Sequence, residues 1–497
     1  MNKIQLSRKM FQEKVYACWL GKNIGGTLGA PYELKKFVND LDFYRPVPRK
    51  AAPNDDLDLQ IIWLKMLEER GVDPSLEDFA EYWKRYASAY PWNEYGFLSR
   101  NLKRGLLPPI SGCFENYFVD EMGSPIRSEI WACIAPGDPQ LAASMAWKDA
   151  VIDHAGGEGM HGEMFWAAIE SAAFVVQDPE TLIQIGLSMI PLHSAISRAI
   201  REAVWCYKND VSWAEARERV VTYYGHHQPC HAPQNHAFII LGWLYGKDFG
   251  DKLCKAVNCG YDTDCTGATL GALLGILGGT KSIPRKWASP VGEQIVLHKF
   301  TGRFDAPKTL NELTKRTVLL AEKVLKEKSD SVVLSDKNII PNNVLSLLIR
   351  NEKALSVLDH DLQASTVLCG DIEVTLHYYG EPVIRPDFEK MLGVSCKKEG
   401  KVVEGTITLD VPEGWQVKQK DELMNQKRFI ICASKIKNIN TINVRISLSN
   451  ELHEKKFVIL GPNEAIGYPS GENVPTCPKC HAWQYACICV KKDDSIL

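Results

Sequence analysis

The stretch GYDTDCTGATLGALLGILGG, residues 260 to 279, limits what this chain can fold into more than any other segment. Asp262 and Asp264 open a run of small and apolar residues that is expected to form a buried helix. Two carboxylates that enter a core repel each other and destabilise the fold unless they are protonated, paired or bound to cations. No Lys or Arg lies between Lys255 and Lys281, so a local ion pair is excluded. The pattern favours a metal ion.

The residue types around these aspartates indicate which metal would bind. An oxygen set of Asp, Asn and Thr favours hard cations, which are Mg²⁺ or Mn²⁺, with Ca²⁺ as the weaker candidate. Gly267, Gly271 and Gly275 recur at every fourth residue, so another helix can approach closely. At roughly 14 residues the helix is shorter than the ~20 that a bilayer requires.

A second acidic cluster lies in PNDDLDLQ, where Asn54, Asp55 and Asp56 precede an amphipathic helix. The helix is predicted from a stripe of apolar residues and a glycine that suits its end: Leu57, Ile61, Leu64, Leu67 and Gly71. Asn54 and the aspartates are typical of helix N-caps, which accept backbone N–H groups and complement the positive helix end. Capping and metal binding both stay open on spacing alone.

The length of 497 residues, of which 45% are hydrophobic, predicts two or three domains that each have a hydrophobic core. Helical patterns run to a last amphipathic helix at 311–331, and period-two stretches separated by turn residues follow it. We therefore expect a multi-domain fold: an all-α catalytic domain over residues 1–345, a β-sandwich over 346–470 and a cysteine-rich tail over 471–497.

The tail carries a C-x-x-C pair followed by a C-x-C pair, formed by Cys477, Cys480, Cys487 and Cys489. This spacing predicts either a structural Zn²⁺ knuckle or unliganded tail thiols, and it leaves both open.

The net charge and the N-terminal segment limit the classes of partner that the chain can have. A net charge of −3, with acids and bases intermixed, argues against a nucleic-acid or anionic membrane surface and favours a small-molecule or glycosylated substrate. Charged residues interrupt the first segment, so it lacks the apolar core of a signal peptide and predicts a cytoplasmic protein.

Four segments in this order resemble the ADP-ribosylglycohydrolase family, over roughly residues 10 to 300. They are GKNIGGTLGAPYE (21–33), NDD (54–56), DHAGGEGMHGEMFWAAIESAAF (153–174) and GYDTDCTGATLGALLG (260–275). The resemblance implies an all-α fold that holds two divalent ions, usually magnesium, between helices. It also implies hydrolysis of bonds at the anomeric carbon of ribose.

The resemblance assigns roles to residues of this chain. The predicted metal ligands are Asn54, Asp55, Asp56, Asp262, Asp264 and Thr266, and the predicted catalytic residues are Glu33, Asp55 and Asp56. Asn54 stands where the family usually has a threonine. Cys265 takes the place of a ligand threonine, with Thr266 one residue later. Because a thiol is a poor magnesium ligand, Cys265 puts the geometry or occupancy of one metal position in question.

The resemblance also points to residues that contact substrate. Gly123 and Ser124, in MGSPIRS, occupy the place of the family's Gly-Asn-Gly stretch, which cradles phosphate and ribose, and they match it poorly. His154, Glu158 and His161 flank glycines in a loop that can close over a ligand. A helix–helix connection with caps is the competing interpretation of that loop.

These assignments predict a divalent-metal-dependent glycoside hydrolase that cleaves a ribosyl or other furanosyl bond by metal-activated water. One alternative is a carbohydrate-processing glycosidase that uses the same metals on a non-nucleotide sugar, as the appended strand-rich region suggests. Another is a non-catalytic binding or structural protein, like the J1 crystallins that resemble this family. Retention of the acidic residues argues against the last.

Overall fold

The computed structural model describes residues 3–398, 400–403, 405–448 and 451–464. Its helices are α1 (Arg8–Gly29), α2 (Asp55–Arg70), α3 (Leu76–Tyr82), α4 (Asn93–Lys103), α5 (Ile110–Cys113), α6 (Ser128–Ile134), α7 (Pro139–Ala150), α8 (Glu158–Ala173), α9 (Pro179–Ser188), α10 (Ala195–Lys208), α11 (Trp213–Tyr224), α12 (Ala232–Tyr245), α13 (Phe249–Asn258), α14 (Thr263–Gly278), α15 (Arg285–Val291), α16 (Leu310–Lys328), α17 (Val344–Leu348) and α18 (Glu352–Ser356). Its strands are β1 (Ile4–Ser7), β2 (Val332–Ser335), β3 (Ala364–Cys369), β4 (Ile372–His377), β5 (Lys390–Lys398), β6 (Lys401–Val402), β7 (Thr406–Asp410), β8 (Gln416–Leu423), β9 (Gln426–Cys432), β10 (Ile439–Leu448) and β11 (Glu451–Leu460).

The chain divides into two compact units. The helical unit consists of the chain up to Pro74, Asp120–Ala150 and Gly157–His360, and the strand-rich unit consists of Ser75–Val119, Val151–Gly156 and the described residues from Asp361 on. The expected helical N-terminal part and strand-rich C-terminal part are both present. The single domain boundary expected near residue 345 stays a prediction. Helices α3 to α5, which precede it in the sequence, group with the strands.

In the helical unit, α1 and α14 touch backbone to backbone. A Cβ added to Gly21 would lie 2.0 Å from the carbonyl oxygen of Gly271, and one added to Gly25 would lie 1.8 Å from that of Gly267. The same construction at Gly29 ends 2.1 Å from the Thr263 oxygen. The close approach predicted for the α14 glycines is confirmed, and the order of the pairs makes the helices antiparallel.

Helix α2 begins and ends where its sequence predicts. The Asn54 side chain accepts a hydrogen bond from the Asp56 N–H at 2.8 Å, as an N-cap does. At the other end Gly71, with φ of 93°, donates its N–H to the Leu67 carbonyl. The predicted apolar stripe is buried. The last predicted helix is likewise present as α16.

The strand-rich unit contains two antiparallel sheets. One has the order β11-β10-β7, and the other has the order β3-β4-β5-β9-β8, with β6 paired to β5. Side chains from both sheets share one apolar core, in which Ile110 and Phe114 from the α5 region also take part. This shared core explains why the segment around α5 belongs to the strands. The expected sandwich arrangement stays a prediction, and the cysteine-rich tail lies outside the described residues.

Among the described residues, no helix combines the length and the apolar character that a membrane crossing needs.

Replacing Gly25 by alanine tests the α1–α14 contact. Helix propensity alone favours alanine over glycine by about 0.5–1 kcal/mol. The new methyl would lie 1.8 Å from a backbone oxygen that cannot rotate away. We therefore expect Gly25→Ala to lower the free energy of unfolding by about 1–3 kcal/mol or more. Denaturant unfolding would measure the loss. The exposed Lys9→Ala of the same helix should change stability by less than about 0.5 kcal/mol. A Gly25→Ala protein as stable as the parent would contradict the packing.

Candidate metal centre

The end of α1 and the start of α14 meet at one side of the helical unit. The Leu34 N–H donates to the Tyr261 carbonyl at 2.8 Å, and the Tyr261 N–H donates to the Lys35 carbonyl at 2.7 Å. Leu34 and Tyr261 both adopt left-handed backbone conformations, with φ of 65° and 70°. This paired turn places Glu33 beside Asp262, which precedes α14.

Two groups of potential ligands form there, and they share Asp264. In the first group, carboxylate oxygens of Glu33, Asp262 and Asp264 lie within 4.8 Å of one another. In the second group, oxygens of Asp56 and Asp264 lie within 4.8 Å of each other and of the Cys265 sulfur. Glu33 is exposed, whereas the other members are buried. The centre therefore reaches solvent through Glu33.

Several carboxylate oxygens of the centre accept no hydrogen bond from the residues that the structure describes. They are Oδ1 of Asp56, both oxygens of Asp262 and Oδ1 of Asp264. Buried polar atoms of this kind are rare, because each one that lacks a partner destabilises the fold. Oxygen atoms that converge without protein donors suit a divalent cation, so the residues present fit the metal that their donor type predicts.

The electrostatics of the ion-free cluster lead to the same conclusion. Burial raises the pKa of Asp56 and of Asp262 well above the usual range, and the charge of Asp264 adds to the effect. At Glu33 the charge of Asp264 is the main cause of a raised pKa. Burial, followed by the charge of Asp264, raises the pKa of Asp55 to about 7. A cation among these groups would favour their charged forms instead.

A buried lysine supplies one positive charge from an unexpected place. Lys22 of α1 is 1% exposed, and its Nζ lies 3.6 Å from Asp56 Oδ1 and 2.8 Å from Glu129 Oε1. The two carboxylates outweigh burial and raise the pKa of Lys22. The sequence excluded only an ion pair with a residue near Asp264, and Lys22 comes from a distant helix, α1. Since Glu129 shares this charge, Lys22 balances only part of the negative charge of the cluster.

Gln60 of α2 fixes the geometry of this ion pair. Its Nε2 donates to Glu129 Oε2 at 2.8 Å and to the Asp56 carbonyl at 2.7 Å, while its Oε1 accepts from the Ile130 N–H at 2.7 Å. The sequence signal for Lys22 was a charged residue inside GKNIGG, a stretch otherwise suited to close helix packing. Neither Glu129 nor Gln60 carries a comparable signal.

Comparison with known proteins identifies the protein class. The sequence model of the family described as ADP-ribosylglycohydrolase matches residues 7–326. The chain belongs to the ADP-ribosylglycohydrolase family. Membership indicates glycohydrolase activity, and the family generally depends on divalent metals.

Two similar proteins illustrate the extent of this match. An uncharacterized protein of Archaeoglobus fulgidus is 25% identical over 321 residues, which are 62% of this chain and 99% of that protein. A solved structure described as an ADP-ribosylglycohydrolase-related protein complex is 20% identical, with a TM-score of 0.44, and the match covers 63% of this chain and 98% of that chain. The family match ends before the strands from β2 onward.

The other predicted ligands of the ADP-ribosylglycohydrolase site have protein contacts of their own. Asn54 Oδ1 caps α2, as described above, and the Thr266 hydroxyl donates to the Thr263 carbonyl at 3.2 Å. Asp55 is partly exposed in the first turn of α2. Their roles as metal ligands stay predictions.

Gly123 and Ser124, predicted to bind substrate, also make contacts inside the helical unit. The Ser124 hydroxyl is buried and donates to the Glu163 carboxylate. The Gly123 carbonyl accepts from Arg127 at 2.8 Å. A substrate would have to compete with these hydrogen bonds, and the predicted role of both residues stays a prediction.

The loop that contains His154 and Glu158 connects elements in the way its competing interpretation expects. Glu158 accepts the N–H groups of Ala195 and Ile196 at 2.7 and 2.9 Å and so caps α10. His161 Nδ1 lies 3.7 Å from Glu158 Oε2. His154 belongs to the strand-rich unit, where it is buried with its Nδ1 2.7 Å from Asp153. Substrate contact by these three residues also stays a prediction.

Asp262→Asn tests whether the centre binds a cation. In metal-free protein, folding must either bury this carboxylate with its charge or protonate it, and its oxygens accept no hydrogen bond from the described residues. Removing it should therefore raise the free energy of unfolding by about 1 kcal/mol or more. Thermal unfolding with EDTA would measure this gain. With Mn²⁺ at about 100 times its dissociation constant, wild type should gain about 2.7 kcal/mol, and the variant should lose most of that gain. The exposed Asp336→Asn serves as the control. Equal metal-induced stabilisation of wild type and Asp262→Asn would exclude Asp262 as a ligand.

The pKa of Asp55 predicts how the stability of metal-free protein depends on pH. In the unfolded chain this carboxyl releases its proton near 3.8, whereas in the folded protein it holds it to about 7. The folded state therefore binds more protons in this interval, so its stability falls as pH rises from about 4 to 7. Asp55→Asn should remove this part of the decline, as urea unfolding across the interval would show. Parallel pH curves for the two proteins would contradict the assigned pKa.

Proposed function

We propose that this chain is a divalent-metal-dependent glycoside hydrolase that cleaves an anomeric bond of a ribosyl or other furanosyl conjugate. The observation that carries the proposal is the pair of ligand groups that share Asp264. Four of their buried oxygens accept no hydrogen bond from the described residues, and the groups belong to a chain of the ADP-ribosylglycohydrolase family. The proposed cofactor is two divalent ions, and the oxygen donors favour Mg²⁺ or Mn²⁺ wherever they alone form the site.

When bound, the divalent ions would supply Lewis acidity that orients sugar hydroxyls and makes water more acidic. Asp56, Asp262 and Asp264 hold that charge in place from two helix starts. Glu33 stands at the solvent side of the cluster, so an incoming sugar meets it first. Without a bound cation, the charge of Asp264 raises the pKa of Glu33 above its usual range.

Glycoside cleavage requires a group that moves a proton beside an oxocarbenium-like sugar. Glu33 provides that group in this proposal, because its carboxylate lies within 4.8 Å of Asp262 and Asp264 oxygens. Asp55, at the partly exposed start of α2, is the second candidate for the proton transfer. The substrate in this proposal is a small or glycosylated molecule.

A second candidate substrate is a non-nucleotide glycoside. Ser124 and Gly123 occupy the place of the family's phosphate-cradling stretch, and both make hydrogen bonds to neighbouring protein groups. This observation favours a sugar that lacks the pyrophosphate of ADP-ribose. A crystallin-like structural role is disfavoured, because a buried acidic cluster without a bound ion only destabilises the chain.

Asp264→Asn tests the proposed activity, since Asp264 belongs to both ligand groups. Purified protein would be incubated with Mg²⁺, Mn²⁺ or EDTA and with ADP-ribosylated arginine and serine peptides, O-acetyl-ADP-ribose and aryl furanosides and pyranosides. We expect release of sugar that EDTA abolishes. Asp264→Asn should lower kcat/KM by more than the ~10–100-fold typical of residues that only support a ligand.

The choice of substrate distinguishes the two enzymatic proposals. Release of ADP-ribose supports the first, and cleavage of simple glycosides alone supports the second. Activity that survives both EDTA and Asp264→Asn would refute a metal-dependent mechanism. Glu352→Gln, at an exposed position on α18, is the control variant and should keep the activity of the parent protein.

A further inference from the structure

We propose that the two ligand groups select different ions: Asp56, Asp264 and Cys265 bind a thiophilic divalent cation, Zn²⁺ foremost, whereas the Glu33 group binds a hard cation. The inference deepens the proposed function, because it concerns the same centre. Its test measures ion binding alone, so it succeeds or fails independently of any glycosidase activity.

The first step is the position of the thiol. Cys265 is 9% exposed, and its sulfur donates to Asp56 Oδ2 at 3.8 Å. The sulfur and one oxygen from each aspartate lie within 4.8 Å of one another, close enough to share one ion. Cys265 is the third residue of α14 and directly follows Asp264, so the helix fixes the direction of both side chains.

A second, independent observation indicates a ligand at this position. Oδ1 of Asp56 and Oδ1 of Asp264 accept no hydrogen bond from the described part of the chain. The two side chains are 0% and 7% exposed, so water does not surround them either. The thiol therefore stands among converging carboxylate oxygens and is not an isolated buried cysteine.

The donor chemistry separates the two positions. Glu33, Asp262 and Asp264 offer oxygen only, which suits Mg²⁺ or Mn²⁺. A thiolate is a soft ligand that favours Zn²⁺ or Fe²⁺ and contributes little to Mg²⁺. On binding, the Cys265 S–H bond breaks, the sulfur forms a bond to the ion and the proton leaves to solvent.

The charge of Lys22 also makes the two ligand groups different. Its ammonium lies 3.6 Å from Asp56 Oδ1, so the Cys265 group has less net negative charge than the group of three carboxylates. A strongly hydrated hard cation depends on that negative charge for its binding. An ion at the Cys265 position gains more from covalent bonding to sulfur.

Co²⁺ is a suitable probe, because thiolate bonded to Co²⁺ gives a charge-transfer band in the near ultraviolet. The chain has fifteen cysteines, so the experiment uses full-length protein in which the four tail cysteines, Cys477, Cys480, Cys487 and Cys489, are replaced by serine. We expect this protein to develop the band with Co²⁺ and to lose it when Zn²⁺ is added. Cys265→Ser should abolish the band, whereas Cys259→Ser, at another buried thiol of the helical unit, should keep it.

Affinities provide the second readout. Cys265→Ser should weaken Zn²⁺ binding by at least about 10-fold, within the range seen when metal sites lose a supporting group, and leave Mg²⁺-induced stabilisation unchanged. Asp56→Asn, which retains the thiol, should also weaken Co²⁺ binding, so the test survives if Cys265→Ser folds poorly. A band that persists in Cys265→Ser, or an equal loss of Zn²⁺ and Mg²⁺ binding, would overturn the proposal. Absence of glycosidase activity alongside the expected band would refute only the proposed function.

Discussion

The backbone contact between α1 and α14 is the constraint on which the centre depends. A side chain at Gly21, Gly25 or Gly267 would collide with the backbone of the other helix, so the two helices could not approach this closely. The carboxylates at their adjoining ends would then separate as well. The antiparallel arrangement puts the end of α1 beside the start of α14, and the paired turn at Leu34 and Tyr261 completes the approach. Dispersion and close packing thus supply the free energy that holds like charges together.

Helix starts explain where those charges are tolerated. Asp56 lies in the first turn of α2, and Asp264 lies in the first turn of α14. The unpaired N–H groups of a helix start carry partial positive charge, which offsets part of the cost of a carboxylate. Lys22 adds a full charge beside Asp56, but Glu129 shares it. The fold therefore lowers the repulsion between the carboxylates without removing it. The negative charge that stays unbalanced can attract a cation.

The sequence alone predicted the structural features that depend on residues close together in the chain. The cap at Asn54 and the stop at Gly71 are local hydrogen-bond patterns, and the small-residue face of α14 is a periodicity, so each was visible in the sequence. The meeting of Asp56 with Asp264 was not, because nothing in either segment specifies its distant neighbour; only the family resemblance joined them. Lys22 was missed for the same physical reason, since a counter-charge in three dimensions need not be near in sequence. The inclusion of Ser75–Val119 in the strand-rich unit had no local signal either, because it follows from shared apolar contacts.

The same reasoning bears on how the centre meets its substrate. In the proposed function, a sugar that approaches from solvent meets the exposed Glu33 before the buried aspartates, so the proposed proton-transfer group is accessible and the proposed ion ligands are shielded. Shielding raises the strength of each interaction between the aspartates and a cation, because little water competes. Access at Glu33 in turn lets the proton exchange with solvent between turnovers. In that proposal, burial of the ligands and exposure of the acid are complementary requirements of one reaction. Helix α1 ends at Gly29, one short helical turn before the exposed Glu33, and this turn meets both requirements.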